Sequence, residues 1–187
     1  MPKMKNLYLA ENQLSAVNVE GMTNLAWFDV QKNQITGDLD LTVSSKLTNV
    51  YVNNNQLTSV KVSDVTKQFY FDNNKMTFAT MPDLPAGMNT DKKKKQFHYA
   101  PQADMEVTLA GKVLDLSAQA TAKGLEAEPQ ATEFFITAGN EALVADKDYK
   151  IENGKIEFLG EKKDVIVKMT NAGFPDLNLT TGPFDVK

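Results

Sequence analysis

Four asparagines recur behind the same apolar alternation, and no other feature limits the fold of this chain so tightly. Asn12, Asn33, Asn55 and Asn74 each follow an apolar-x-apolar pair: Leu7/Leu9, Phe28/Val30, Val50/Val52 and Phe69/Phe71. An apolar residue two places further on (Leu14, Ile35, Leu57 or Met76) closes each unit, and the intervals are 21, 22 and 19 residues. A unit of this length cannot bury an apolar face alone. Stacking of successive units creates the core, so the period predicts a solenoid and points to a binding surface more than to an active site.

Period-two alternation within each unit marks a strand with one buried face. Apolar pairs on the return side (Val17/Val19, Leu39/Leu41, Val60/Val62) and a residue before the strand (Met4, Leu25, Leu47) complete each coil. Each buried Leu, Val or Phe contributes about 1.5–3 kcal/mol. The longer interval carries its extra residue near Gly37-Asp38, and the shorter one loses two residues between Val62 and Phe69. The Asn has a structural role. The chain turns sharply as it leaves the strand and orphans backbone groups inside the coil. A carboxamide both donates and accepts, so it can satisfy them, and stacked copies form a ladder.

These phrases, such as Asn54-Asn55-Gln56-Leu57-Thr58-Ser59-Val60 and Asn12-Gln13-Leu14-Ser15-Ala16-Val17, resemble the leucine-rich repeat family over about residues 4–81. The resemblance is to the short bacterial 21-residue type of internalin-like and other surface proteins. It implies a short solenoid with a parallel sheet, and an extracellular or cell-surface setting. Val and Phe replace many of the leucines, and the last return is short. A fifth strand is expected at Gln96-Phe97-His98-Tyr99-Ala100, within an atypical closing coil that ends near Pro101. The Lys92–Lys95 run inside that coil is read as a solvated loop.

Beyond Ala103 the asparagine period stops and short alternating segments take over: Met105–Leu109, Val113–Leu116, Thr132–Thr137 and Val165–Met169. Their spacing suits an antiparallel β-sandwich. Asn153-Gly154 favours a two-residue type I′ turn. That turn pairs Glu152 with Lys155, Ile151 with Ile156, Lys150 with Glu157 and Tyr149 with Phe158, with charges on one face and apolar pairs on the other. The last segment, 164–187, reads as two more strands. This half resembles the bacterial immunoglobulin-like modules that follow repeat domains. The whole chain is therefore expected to be mainly β, with a leucine-rich-repeat solenoid over 1–101 and an immunoglobulin-like sandwich over 102–187.

Little in the sequence suggests catalysis. There is no Cys and a single His, His98, so a Cys–His pair is excluded, and no nucleotide-binding or metalloprotease motif occurs. Asp146 and Asp148 lack a calcium-loop frame and are read as a loop acid pair. No metal or cofactor is expected. The halves carry 7 Lys with 9 acids and 13 Lys with 15 acids, with no Arg, which disfavours nucleic acid as a partner. No stretch is long and apolar enough for a transmembrane helix, and Met1–Ala10 is not a signal peptide. The chain opens inside a repeat, as a fragment would. An uncapped first coil suggests either missing upstream repeats or self-association through that end.

The alternation also identifies what faces outward. The central column is Tyr8, Asp29, Tyr51, Tyr70 and His98. The preceding column is Asn6, Trp27, Asn49, Gln68 and Gln96, and the following one is Ala10, Gln31, Asn53, Asp72 and Ala100. Adjacent strands lie about 4.8 Å apart, so Tyr51 and Tyr70 should touch. Aromatics beside amides suit a protein or glycan ligand. The expectation is a non-enzymatic recognition or adhesion module that binds a protein through this face. A carbohydrate-binding module and a structural spacer are the alternatives.

Overall fold

The computed structural model describes residues 3–88 and 96–187, so the Lys92–Lys95 run lies outside the described residues. The chain divides into two compact units: residues 1–76 with 80–102, and residues 77–79 with 103–187.

The first unit is a β-solenoid. Strands β1 (Asn6–Tyr8), β2 (Trp27–Asp29), β4 (Asn49–Tyr51), β6 (Gln68–Tyr70) and β7 (Phe97–His98) form one parallel sheet in that order. On the return side β3 (Thr36–Asp40) pairs in parallel with β5 (Gln56–Lys61). The sequence intervals place an extra residue near Gly37-Asp38. The register does shift there, but Gly37 pairs with Leu57 and Asp38 with Ser59, so the unpaired residue is Thr58 on β5. Gly37 has φ +77°, which a side chain would strain. Leu25, Phe28, Val30, Leu47, Val50, Val52, Phe69 and Phe71 are all fully buried, so the core is the stacked interior the period implies. Thr66 occupies the place of Leu25 and Leu47 in the shortened coil. It is buried, and its hydroxyl donates to the Leu47 carbonyl at 3.0 Å.

The asparagine ladder holds each turn to the one before it. Asn33 Nδ2 donates to the carbonyls of Val30 and Leu9, both at 2.9 Å, and its Oδ1 accepts from the Leu14 amide at 3.0 Å. Asn55 repeats this with Val52, Val30 and the Ile35 amide. Asn74 repeats it with Phe71, Val52 and the Leu57 amide. The residue before each rung, Glu11, Lys32, Asn54 or Asn73, has φ between 53° and 57°, the left-handed corner that lets the chain leave the strand. A fifth rung closes the stack. Gln102 Nε2 donates to Tyr99 and Phe71, and its Oε1 accepts from the Met76 amide at 3.1 Å. At the other end, Asn12 bonds only carbonyls of its own coil, Leu9 and Ala10. Met4, Leu7, Leu9, Leu14 and Val17 remain half-buried there.

The second unit is antiparallel. Strand β10 (Gln130–Ala138) pairs with β14 (Lys162–Asn171) from Thr132↔Asn171 to Ala138↔Val165. Strand β14 also takes β15 (Leu179–Thr180) and β16 (Phe184–Val186), while β9 (Thr121–Ala122) and β11 (Glu141–Ala142) flank β10. A second sheet contains β12 (Tyr149–Glu152), β13 (Lys155–Phe158) and β8 (Val113–Asp115). Its hairpin has the four pairs the Asn153-Gly154 turn requires, with φ 47° and 78° at the two turn residues. Gly154 is also obligatory for space, since a Cβ there would lie 2.7 Å from the Leu116 carbonyl oxygen. The Phe158 and Phe184 rings meet at 6.0 Å between the sheets. Short and unequal strands make this a sandwich only in a loose sense. Met105–Leu109 is no strand. Met105 alone bridges to Thr181, its N–H and carbonyl being used by Thr180 and Gly182.

Candidate functional site

The outward face of the parallel sheet is assembled by register. Tyr8 aligns with Asp29, Asp29 with Tyr51, Tyr51 with Tyr70, and Tyr70 with His98. Asn6, Trp27, Asn49 and Gln68 align as the preceding column, with Gln96 just before β7. The backbone ladder extends past the strands: Lys32 N–H donates to Asn53 and Asn54 N–H to Asp72, both at 3.0 Å. The column Ala10, Gln31, Asn53, Asp72 and Ala100 therefore lies beyond the strand ends on the same side.

The rings make an unbroken row. Centroid separations are 5.9 Å for Tyr8–Trp27, 5.3 Å for Trp27–Tyr51, 5.0 Å for Tyr51–Tyr70 and 4.1 Å for Tyr70–His98. Sequence reasoning put Asp29 between Tyr8 and Tyr51 and so left the row interrupted there. Trp27 fills the gap from the neighbouring column, because diagonal positions on a sheet are within reach of a large side chain. Its size was the signal available. The Tyr70 and His98 planes differ by only 10°, so these rings cover each other's faces and turn edges outward. Tyr8, 60% exposed, ends the row.

Polar groups fix the face. Gln68 Oε1 accepts from the Tyr51 hydroxyl and from Asn49 Nδ2, the latter at 2.8 Å. Gln31 donates to Asp29 through its amide and Nε2, each at 3.2 Å. Burial pushes the Tyr51 phenol up, with the charges of Tyr70 and Asp29 adding to it. Trp27 Nε1 and Asn53 Oδ1 are buried without a hydrogen-bond partner, which costs stability.

Asp72 is the unusual acid. Burial pushes its carboxyl above the ordinary value, against the hydrogen bond from Asn73 and the influence of His98. The folded state thus holds this proton more tightly than the unfolded state, and its contribution falls as pH rises through that window. Asp72→Asn is expected to raise the melting temperature at pH 7. Its margin over wild type should shrink as pH drops through the raised Asp72 pKa. Thermal melts of both proteins between pH 3.5 and about 7 check this.

The acids of the second unit form no comparable site. Asp148 accepts from Lys162 Nζ at 2.7 Å and from the Val144 amide at 3.0 Å, and these hold its carboxyl below the usual range. Among the described residues, no group of three or more His, Asp or Glu is placed to hold a metal ion, and no helix is long and apolar enough to cross a membrane.

No family model matches the chain, and no curated protein matches it. Among solved structures it is similar to the functional domain of InlJ from Listeria monocytogenes, with a TM-score of 0.54 and 19% identity. The match covers 90% of this chain and 36% of that one, so the chain spans about a third of that structure. The likeness is one of fold, and the InlJ domain includes a cysteine ladder. The ladder here is built of carboxamides in a chain without cysteine.

Proposed function

We propose that the chain is a non-enzymatic recognition module that binds a protein partner through the strand face of its solenoid. The observation that carries this reading is the continuous ring row from Tyr8 to His98, set among amides. Rigid amphipathic rings supply contact area at low entropic cost, and amides supply adaptable hydrogen bonds. A glycan is the weaker reading, because stacking on a sugar needs an exposed ring face and Tyr70 and His98 cover each other. Adhesion at a bacterial surface fits the resemblance of the repeats, and the second unit then serves as an immunoglobulin-like spacer.

The test is capture of partners from a lysate, together with a glycan array, using wild type and Tyr51→Ala/Tyr70→Ala. A protein captured by wild type and lost by the folded variant supports the proposal. A glycan signal lost in the variant favours the carbohydrate reading. Binding that is indifferent to both substitutions removes the strand face from the account.

A further inference from the structure

The strand face has a charge asymmetry that narrows the kind of partner it can take. Its fifteen outward positions include two acids, Asp29 and Asp72, and no lysine, although the chain has 20. Lys5 and Lys67 precede β1 and β6, at the end of the strands away from Asp72. Lys32 is already paired with Glu11 at 2.6 Å. Both face acids are half-buried beside the rings, and neither has a lysine within ion-pair distance among the described residues.

Asp29 accepts two hydrogen bonds from Gln31, and the acids other than Asp72 that have a displaced carboxyl are all compensated. Glu11 is held low by Lys32, Asp38 by the hydroxyls of Ser59 and Thr58, Asp40 by Thr42, Asp115 by Ser117 and Asp148 by Lys162. Asp72 moves the other way, because its burial outweighs what Asn73 and His98 return. A half-desolvated carboxylate without a cation is poorly matched within its own chain and well matched to one that arrives with a ligand.

Resting on the strand-face reading, we propose that the partner presents a basic segment whose Lys or Arg side chains dock against Asp29 and Asp72 on either side of the Tyr51–Tyr70 pair. Asp29 aligns with Tyr51 and Tyr70 across two strand spacings, and Asp72 lies two residues beyond Tyr70. The two acids are therefore about 12 Å apart along the face. An extended segment with basic residues three apart spans about 10 Å, which long side chains can adjust. Arginine suits the site better than lysine, since its planar fork can bind a carboxylate while its stem lies along the ring edges. With ring faces such as those of Tyr70 and His98 covered, the attraction comes from the carboxylates, and the rings serve as apolar walls.

The test uses nuclear magnetic resonance and two synthetic acetylated octapeptides of glycine and serine. One carries two arginines three residues apart, and the other carries the neutral isostere citrulline at both places. Trp27 is the only tryptophan, so its indole N–H gives one signal inside the site. The arginine peptide should move that signal saturably. The citrulline peptide, and the arginine peptide with Asp29→Asn/Asp72→Asn, should bind roughly five- to tenfold more weakly. Retained core methyl shifts establish that the variant is folded. No response to the arginine peptide, an equal response to citrulline, or unchanged affinity in the variant overturns the proposal. A captured partner that needs Tyr51 and Tyr70 but binds the Asn variant as tightly as wild type overturns the charge inference alone. A partner indifferent to the tyrosines overturns both readings.

Discussion

Replacement of Asn74 by alanine is expected to destabilise the solenoid by about 3 kcal/mol or more. Asn74 is 1% exposed and makes three bonds of 2.9–3.1 Å that join two coils. Its loss leaves the buried Leu57 amide without an acceptor, while the Val52 and Phe71 carbonyls each lose one of two side-chain donors and keep Asn55 and Gln102. The orphaned amide costs about 1–3 kcal/mol and each lost bond about 0.5–1.5 kcal/mol, against a total stability of about 5–15 kcal/mol for an ordinary domain. Asn12 provides the internal comparison. It is exposed and bonds only within its own coil, so Asn12→Ala is expected to cost less than about 1 kcal/mol. Urea denaturation of the two variants measures the difference. Equal costs would mean that the ladder does not hold the coils together as described.

The second large effect concerns binding. Tyr51→Ala/Tyr70→Ala should weaken capture of a protein partner by about 100-fold or more, the loss expected when two central aromatic anchors are truncated. These rings are the middle of the row, each with aromatic neighbours on both sides. The cost in stability should be smaller, since both are half-exposed and lose mainly ring contacts of about 0.5–1.5 kcal/mol each. Tyr8→Ala, at the end of the row, should weaken binding less. Titration calorimetry with the captured partner separates the three, and circular dichroism establishes that each variant is folded.

The solenoid was readable because its period is carried by residues whose identity is constrained twice. Phe28, Val50 and Phe69 must be apolar to fill the interior, and Asn33, Asn55 and Asn74 must both donate and accept. The hairpin at Asn153-Gly154 was readable for the same reason, since its turn accepts few residues. The hidden features are those where another residue meets the same need. Gln102 supplies the closing rung, but it is one carbon longer than Asn and follows the Asn74 rung by 28 residues. Thr66 satisfies itself on the Leu47 carbonyl, so a polar residue sits where the pattern asks for leucine. Trp27 enters the ring row diagonally, which strand alternation does not record. In the second unit, Met105–Leu109 has the alternation of a strand but only one bridging residue. Alternation marks a candidate edge and does not supply its partner.

The positions on the strand face were equally readable, since alternation and register determine them. That they bind anything is a proposal, because the same tyrosines would stabilise an exposed sheet without any ligand. Hydroxyl-radical footprinting of the chain, alone and with its captured partner, distinguishes these most directly. Trp27, Tyr51 and Tyr70 should lose reactivity on binding, together with Tyr8 or His98 at the ends of the row. Phe135 and Leu159 in the second unit, 49% and 45% exposed, should not change. Protection confined to the second unit or to the return strands Thr36–Asp40 and Gln56–Lys61, with the ring row still reactive, would contradict the account.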